Sequence, residues 1–452
     1  MSGSFVTIGG GFNGHNSVLS VPSSFPSAVN TMLQEYLNSV SSSVIGGTAG
    51  FENNDVATGA DLVTPGAAAL EVISNMDTGG STAAGSPYNV TVSAGVATLV
   101  VEAPGNGTIT GSSSTTSVTF GADSNVDYSV QNGAPSSIFA AGGSNNITLL
   151  PGIGNLNDTV YSSGNDSLNF LGQGSVQASI IGSANDRVVI EDTQATVTAT
   201  GNATVGLFWA SPTSGGRLDF INNSTAAATI FSSVFNQPDG SALTAPNSIT
   251  VDGGQGGGYY NGGQAGNNSL IGGTGVVTLV GAGEGDFLQA SSSLGQNDLF
   301  SGAGSETLEG TSLSGSNEFV AGLNYPGLGQ PVPNDVISTT GSGQQNFQLG
   351  NGTDTIFGST VATANVFNIY GDATTGSANF IINNFVNGTI FLNNDADNGA
   401  GNASITSILT DPIIAGNNTL ITLSDSTQIH LIGVSASSVT QGVDAQGTTF
   451  IQ

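Results

Sequence analysis

Six carboxylates stand in or beside glycine-rich turns, where their oxygens could bind a divalent cation. They are Asp166, Asp186, Asp286, Asp298, Glu306 and Asp354. Carboxylate and carbonyl oxygens are the ligands that calcium prefers in proteins. The chain has 31 acidic residues, two arginines and no lysine, which gives a formal net charge of −29 that bound cations could neutralise. We therefore predict that these six residues bind Ca2+, and that most other carboxylates are solvated and keep the protein soluble.

A nine-residue repeat occupies the middle of the chain. Its three consecutive units are GQAGNNSLI (263–271), GGTGVVTLV (272–280) and GAGEGDFLQ (281–289), and the eighth residue of each unit is leucine. A glycine-rich turn followed by a short strand with one buried aliphatic residue, repeated at this period, is typical of a parallel β-roll. One unit is too short to bury its own apolar face, so stacking on neighbouring units must stabilise it.

The same spacing returns farther along, where Leu299 and Leu308, and then Phe347 and Ile356, lie nine residues apart. The best single copy, GNGTDTI at 350–356, resembles the GGxGxDxUx nonapeptide of RTX proteins. These are secreted bacterial proteins with calcium-binding β-rolls. The resemblance covers about half of the chain at most, in broken tracts, and it implies a calcium-binding β-roll.

The repeat also predicts which residues stack. In a β-roll one full coil uses two nonapeptides, and the sixth position of each unit supplies the carboxylate. Here those positions hold Asn268, Val277 and Asp286, so Asn268 should stack with Asp286, 18 residues away, while Val277 lies on the other side. Asparagine replaces aspartate at several turns, such as Asn297, and stacked asparagines can form hydrogen-bonded ladders without a metal.

These patterns predict an all-β fold, an elongated parallel β-solenoid (a β-helix or β-roll) with a short helical N-terminal cap. We assign 1–85 to the cap and 86–452 to the solenoid; the region near 193–250, which holds the only tryptophan, is either wider rungs or an inserted lobe. A second, shorter helix is predicted from Ala67 to Met76. The first helix is an end cap, as repeat proteins require, or an assembly element. Its apolar stripe follows the helical period at Val29, Met32, Leu33, Tyr36, Leu37 and Val40.

Catalytic side chains are scarce, and we predict that the protein is not an enzyme. Histidine occurs only at His15 and His430, nothing in the sequence brings them together, and no GxSxG motif is present. A polysaccharide lyase uses lysine or arginine to bind acidic sugars and remove a proton, and only Arg187 and Arg217 are available. Paired carboxylates could hydrolyse a neutral glycan, but no pair stands out. The absence of cysteine excludes thiolate chemistry and disulfides.

Charge and hydropathy exclude several partners. An acidic chain with almost no basic residues cannot neutralise nucleic-acid phosphates, and it is repelled by anionic membrane surfaces. No segment approaches the roughly 18 apolar residues of a membrane span, so membrane insertion is not expected. Residues 1–20 lack the basic and apolar regions of a signal peptide, so we expect secretion to the bacterial cell surface by a signal-peptide-independent, type I route.

A building or binding role remains. The low lysine and arginine content, the absence of cysteine and the richness in Ala, Gly, Thr and Asn resemble alphaproteobacterial S-layer and RTX-type proteins. That resemblance implies a calcium-stabilised structural protein that self-assembles into a surface layer or an extracellular matrix fibre. The alternative is an adhesin that binds cell-surface or matrix polysaccharide through Tyr259, Tyr260, Trp209 or Tyr325. A glycan-active β-helix enzyme and an ice-binding solenoid are weaker alternatives, the latter because no TxT array recurs.

Overall fold

The computed structural model is all-β, and its strands wind into a parallel β-solenoid, as the repeat predicts. It divides into two compact units: unit 1 comprises 1–226 and 233–245, and unit 2 comprises 227–232 and 246–452. Within the described residues, no helix is both long and apolar enough to cross a membrane. The structure describes residues 4–8, 17–21, 31, 34–35, 38, 51–55, 61–63, 70–74 and 87–452, apart from 102–104, 122–123, 133–135, 152–156, 172–173, 181–184, 192, 209–216, 233–247, 264–265, 291, 293–294, 303, 312–314, 323–333, 372–377, 395–402 and 415.

Unit 1 consists of an antiparallel strand pair and two parallel sheets, and each coil contributes one strand to each sheet. The antiparallel pair is β1 (Ser4–Ile8) and β2 (Ser17–Val21). The odd-numbered sheet contains β3 (Phe51–Asp55), β5 (Leu70–Ser74), β7 (Thr98–Val101), β9 (Ser117–Phe120), β11 (Ser137–Ala140), β13 (Asn157–Ser162), β15 (Ser175–Ile180), β17 (Gln194–Ala199) and β19 (Arg217–Asn222). The even-numbered sheet contains β4 (Asp61–Val63), β6 (Tyr88–Thr91), β8 (Gly105–Gly111), β10 (Ser124–Asn132), β12 (Asn146–Pro151), β14 (Ser167–Leu171), β16 (Asn185–Glu191) and β18 (Asn202–Phe208).

Unit 2 continues the same alternation. Its odd-numbered sheet contains β21 (Ser248–Asp252), β23 (Ser269–Ile271), β25 (Phe287–Gln289), β27 (Thr307–Gly310), β29 (Val336–Thr339), β31 (Thr353–Phe357) and β33 (Asn379–Asn383). Its even-numbered sheet contains β20 (Ala228–Ser232), β22 (Gly258–Asn261), β24 (Val277–Val280), β26 (Gln296–Phe300), β28 (Ser316–Ala321), β30 (Gln344–Leu349), β32 (Ala364–Gly371) and β34 (Gly388–Asn394).

The C-terminal end of unit 2 departs from the parallel pattern. After β33, the odd-numbered sheet continues through β37 (Gln428–Leu431) to β36 (Thr419–Leu423) and β35 (Ile405–Thr410), with antiparallel pairing between the last three strands. The even-numbered sheet ends in the antiparallel strands β39 (Thr449–Ile451) and β38 (Gln441–Val443). A short 3-10 helix at Ala436–Ser438 precedes them in the chain and contacts β35. The change of direction ends the coil at this terminus.

Stacked apolar side chains fill the inside of the coil. In the odd-numbered sheet of unit 2, Leu270, Leu288 and Leu308 lie in register on successive rungs. In the even-numbered sheet, the Phe347 ring stacks between Phe319 and Phe367 with centroid distances of 5.1 and 4.7 Å. All six side chains are fully buried. The leucines that recur along the sequence are therefore core residues.

The solenoid pairing begins earlier in the chain than the predicted boundary at residue 86. Strand β5 pairs in parallel with both β3 and β7, so the helix predicted from Ala67 to Met76 is wrong. In the first predicted helix, Thr31, Gln34, Glu35 and Asn38 have helical backbone, but the apolar stripe lies outside the described residues. The helical cap therefore stays a prediction.

The region near 193–250 supplies strands to the solenoid rather than a separate fold, as far as the structure describes it. Strands β17, β18 and β19 pair into the sheets of unit 1, and β20 and β21 pair into those of unit 2. The intervening 209–216 and 233–247 lie outside the described residues, so an inserted lobe stays a prediction for those segments.

Glycine is required where neighbouring turns approach closely. Gly266 has φ +75°, and a Cβ atom there would lie 1.9 Å from the carbonyl oxygen of Glu284 on the next rung. Because only glycine tolerates both the left-handed conformation and that contact, a larger residue at Gly266 would strain this turn.

Replacing Phe347 with alanine tests the stacked core. We expect Phe347→Ala to lower the free energy of unfolding by roughly 3–5 kcal/mol, because a buried ring is lost from between two others. Phe357→Ala is the control, since Phe357 is 40% exposed and its loss leaves no internal cavity. Urea unfolding of both variants measures the difference, and equal losses would contradict the assigned core.

Candidate functional site

Polar side chains form columns inside the coil, next to the apolar core. Each column residue stands two positions before a buried strand residue, as Glu306 precedes Leu308 and Asn317 precedes Phe319. Alternate residues of a strand point to the same face, so this spacing turns the polar side chain inward. Unit 2 contains two such columns, one in each sheet, and each runs along the N-terminal ends of the strands.

The amide column follows the even-numbered sheet of unit 2 and comprises Asn297, Asn317, Gln345 and Asn365, all fully or almost fully buried. Asn297 Nδ2 donates to Asn317 Oδ1 at 3.1 Å, and Asn317 Nδ2 donates to Gln345 Oε1 at 2.8 Å. Each amide is both a donor and an acceptor, so the column can satisfy itself without an ion. The hydrogen-bonded stacking expected of asparagine is present between Asn297 and Asn317.

The acid column follows the odd-numbered sheet of unit 2 and comprises Asp286, Glu306, Asp335 and Asp354, with Asn268 above it. Asn268 donates to Asp286 Oδ1 through its backbone N and its Nδ2, both at 2.8 Å, which confirms the predicted stacking. Farther along, Glu306 N donates to Asp335 Oδ1 and Asp335 N donates to Asp354 Oδ1, each at 2.9 Å. The side-chain oxygen of one rung thus accepts the backbone N–H of the preceding rung.

Some carboxylate oxygens of the acid column have no hydrogen-bond donor among the described residues. Asp286 Oδ2 accepts from the backbone amides of Ala282 and Gly283, at 2.9 and 3.3 Å. In contrast, Glu306 Oε2, Asp335 Oδ2 and Asp354 Oδ2 are buried without a hydrogen-bond partner among the described residues. A buried ionised carboxylate with an unpaired oxygen costs several kcal/mol.

Burial shifts the ionisation of these acids. Burial, with the nearby charges of Asp286 and Asp335, raises the pKa of Glu306 to about 9. Burial raises the pKa of Asp335 to about 6, partly offset by hydrogen bonds from Glu306 and Ser301. Burial and the charge of Asp335 raise the pKa of Asp354 well above its ordinary value. The column therefore favours neutral acids.

Unit 1 contains a related column of Asn145, Asp166 and Asp186. Asn145 N donates to Asp166 Oδ1 and Asp166 N donates to Asp186 Oδ1, both at 2.8 Å. The Ser162 hydroxyl lies 2.6 Å from Asp166 Oδ2 and 2.7 Å from Asp186 Oδ2. One hydroxyl proton cannot serve both oxygens at once, which favours a proton on one carboxyl. Burial raises the pKa of Asp186 to about 7 despite hydrogen bonds from Asp166 and Ser162.

Five of the six carboxylates predicted to bind calcium lie inside the coil. Asp166 and Asp186 belong to unit 1, and Asp286, Glu306 and Asp354 belong to the acid column. Asp298 instead lies on the outward face of β26, where it accepts from Gln296 Nε2 at 2.9 Å and is in register with Glu318 of β28. The six residues thus do not form one site.

The buried columns do not fit a calcium ion. Calcium takes six to eight oxygen ligands that converge on one point. In the columns the carboxylates follow one another rung by rung, at a spacing of roughly 4.8 Å. No group of three or more acidic or histidine side chains that could hold a metal occurs in the part of the chain that the structure describes.

His430 lies in a buried pair with Asp411. Its Nδ1 lies 2.6 Å from Asp411 Oδ2, and both side chains are buried. Burial raises the pKa of Asp411, but hydrogen bonds from His430 and from the backbone amides of Ile413 and Ile414 outweigh it, so that the net pKa is lowered. The pair ties the chain after β35 to β37. His15 lies outside the described residues.

Of the proposed sugar-stacking aromatics, one is accessible among those described. Tyr260 is fully buried and its hydroxyl donates to the Gly257 carbonyl at 2.6 Å, whereas Tyr259 is 40% exposed. Trp209 and Tyr325 lie outside the described residues.

Sequence reasoning missed several column members, including Asp335, Asn317 and Asp158. Asp158 Oδ1 accepts from Ser136 N and Oγ at 2.8 and 2.7 Å in unit 1. The available signal was a polar residue two positions before each buried strand residue, which persists even where the nine-residue period does not. Asp335 before Ile337 and Asn317 before Phe319 both show it.

Changing one amide rung to an acid tests the difference between the columns. In Asn317→Asp the donor to Gln345 is lost and a buried carboxylate is introduced, so we expect a loss of about 1–3 kcal/mol at pH 8. The loss should shrink near pH 5, because the neutral acid regains a donor. Asn346→Asp is the control, since Asn346 lies outward and acts as an acceptor for Asn368 Nδ2 at 2.7 Å. Urea unfolding at both pH values measures the effect; a loss independent of pH would contradict it.

No protein-family model matches this chain, and no curated protein or solved structure matches it either. What the columns and surfaces do is therefore inferred from their own geometry.

Proposed function

We propose that this chain is a non-enzymatic structural protein that self-assembles into a cell-surface layer or an extracellular matrix fibre. The observation that supports this best is the uncharged outer strand β35 at the C-terminal end of unit 2. Within the described residues, β35 pairs with β36 on one side and with no strand on the other. An open strand edge presents unpaired N–H and C=O groups that another strand can pair with.

The side chains of β35 suit contact with another protein. Most of its residues are exposed or half-buried, and Leu409 is 57% exposed. Ile413, close behind the strand, is 69% exposed. Proteins that keep such edges single place lysine, proline or inward-pointing charges on the strand. Residues 403–410 contain no lysine, proline or charge, and the nearest acid, Asp411, is buried against His430. A register shift between Ile405 and Ser407 interrupts the start of the strand, so the regularly paired stretch is 407–410.

The partner that fits this strand is a second copy of the chain. The formal charge of −29 makes two copies repel each other over most of their surface, and repulsion is lowest where the charge is absent. Antiparallel pairing of β35 with β35 is self-complementary, since each strand presents the same edge to the other. The pairing would join the odd-numbered sheets of two copies and close as a dimer, so a layer or fibre also needs a second contact between dimers.

In this proposal calcium binds at carboxylates on the outward face of the sheet. Asp298 and Glu318 lie on neighbouring rungs, and Gln296 Nε2 donates to both, at 2.9 Å each. Such outward carboxylates are accessible to a cation that also contacts a neighbouring molecule. We propose that calcium stabilises the assembly by bridging these acids between copies. Polysaccharide binding has less support, because Tyr260 is buried and cannot stack on a sugar.

Adding a charge to β35 tests the assembly surface. We expect the wild type to form ordered polymers in calcium, seen by negative-stain microscopy and sedimentation. Leu409→Lys should lower the apparent association constant by roughly tenfold or more, about 1.4 kcal/mol, because a lysine blocks edge pairing. Val361→Lys adds the same charge at a residue that is 63% exposed and should assemble normally. A wild type that stays monomeric at every calcium concentration would sink the proposal.

Removing the outward acids tests the role of calcium. We expect the double variant Asp298→Asn, Glu318→Gln to lose the difference in polymer mass between calcium and a chelator, because the bridging ligands are gone. Glu309→Gln is the control: Glu309 is outward too, but it accepts from Gln289 Nε2 at 3.1 Å on another face. Sedimentation with and without chelator measures the effect, and an unchanged calcium response in the double variant would refute the bridging role.

A further inference from the structure

We propose that the acid column of unit 2 is a proton-binding site, in which Glu306 and Asp354 are held as neutral carboxylic acids near pH 7 and Asp335 in more acidic solution, so that folding takes up protons from solvent and the solenoid weakens as the pH rises. The reaction is the addition of one solvent proton to each carboxylate, which gives a carboxylic acid with one hydroxyl donor. This inference is independent of self-assembly.

The geometry favours protons because the column lacks donors. Each of the three carboxyls accepts one backbone N–H: Glu306 Oε1 from Gly302 N at 2.7 Å, Asp335 Oδ1 from Glu306 N and Asp354 Oδ1 from Asp335 N, both at 2.9 Å. The second oxygen of each has no hydrogen-bond partner among the described residues. A proton converts that oxygen to a donor and removes the buried charge.

Among the described residues, no cationic side chain influences the pKa of Glu306, Asp335 or Asp354. On the same sheet, Glu306, Asp335 and Asp354 are preceded by Asn268 and Asp286. They are followed by Phe380, which is in register with Asp354. The inward polar residues of the opposite sheet are the neutral amides Asn297, Asn317 and Gln345. Lysine is absent, and both arginines, Arg187 and Arg217, belong to unit 1. His430, in unit 2, is paired with Asp411.

The amide column shows which hydrogen-bond donors the acid column lacks. At matching positions of the other sheet, the side-chain nitrogens of Asn297 and Asn317 supply the donor that a carboxylate lacks, as Asn317 Nδ2 does for Gln345 Oε1. A protonated carboxyl restores one donor per rung and so reproduces the pattern of the amide. Glycine keeps the surroundings tight: a Cβ atom at Gly281 would lie 2.2 Å from Glu306 Oε2.

The direction of the pH dependence follows from proton binding. Burial raises the pKa of Glu306 from its ordinary 4.5 to about 9, so the folded chain binds more protons than the unfolded chain between these values. Stability therefore falls as the pH rises through that window, and Asp335 adds to the fall up to about pH 6, the value to which burial raises its pKa. Below about pH 4 these groups are protonated in both states and no longer change the stability.

The test compares two triple variants of the full chain that each remove three acids. The inner triple, Glu306→Gln, Asp335→Asn, Asp354→Asn, should lose most of the fall in unfolding midpoint between about pH 4 and about pH 9. At pH 7 it should take up at least one proton fewer per chain on folding. The outer triple, Asp298→Asn, Glu309→Gln, Glu318→Gln, should keep the wild-type pH dependence.

Two further measurements keep the proposal falsifiable. Infrared absorption of protonated carboxyl groups at pH 7 should be present in the wild type and the outer triple and weaker in the inner triple. If the inner triple does not fold, Glu306→Gln alone should show a smaller change of the same kind. Equal pH dependence in both triples would overturn the proposal. So would a wild-type midpoint at pH 7 that falls on chelation of calcium while the inner triple is unaffected, because the column would then hold a cation.

Discussion

The fold depends on a hydrogen bond inside the coil, between the backbone N–H of one rung and a side-chain oxygen of the next. Glu306 N to Asp335 Oδ1 in unit 2 and Asn145 N to Asp166 Oδ1 in unit 1 are two examples, at 2.9 and 2.8 Å. A buried N–H without an acceptor costs about as much as a lost hydrogen bond. A rung that places an oxygen-bearing side chain at this position, beside its apolar core residue, therefore satisfies the N–H of the preceding rung.

This need for an acceptor explains why acids and amides occupy equivalent positions. Both offer an oxygen, but only the amide also offers a donor to the following rung. The amides of Asn297 and Asn317 each donate to the next amide oxygen, and Gln345 Nε2 donates to the Gly343 carbonyl. The acid column leaves three oxygens without donors among the described residues. The same coil thus contains an amide column whose stability does not depend on pH and an acid column whose stability does.

The sequence predicts the solenoid and the stacking of Asn268 on Asp286, because 18 residues make one coil wherever no insertion intervenes. It does not predict the next members of the column, since Glu306 and Asp335 are 29 residues apart and the period is lost. Strand alternation could have shown that the carboxylates point inward, away from a calcium-binding turn. The helix expected at Ala67–Met76 fails because pairing of β5 with two neighbouring strands outweighs a weak local pattern.

Where a carboxylate lies decides whether it contributes to repulsion between molecules. The formal charge of −29 counts every acid as ionised, yet an acid that is neutral inside the coil adds nothing to the field outside. The field comes from outward acids such as Asp298 and Glu318, and salt screens it beyond about 10 Å at 0.1 M. Contact between copies then depends on the charge close to the contacting strand, and β35 has none. In the proposed assembly, copies would associate at the end of the odd-numbered sheet, and the outer acids would keep the sheet faces apart until a divalent cation bound between them.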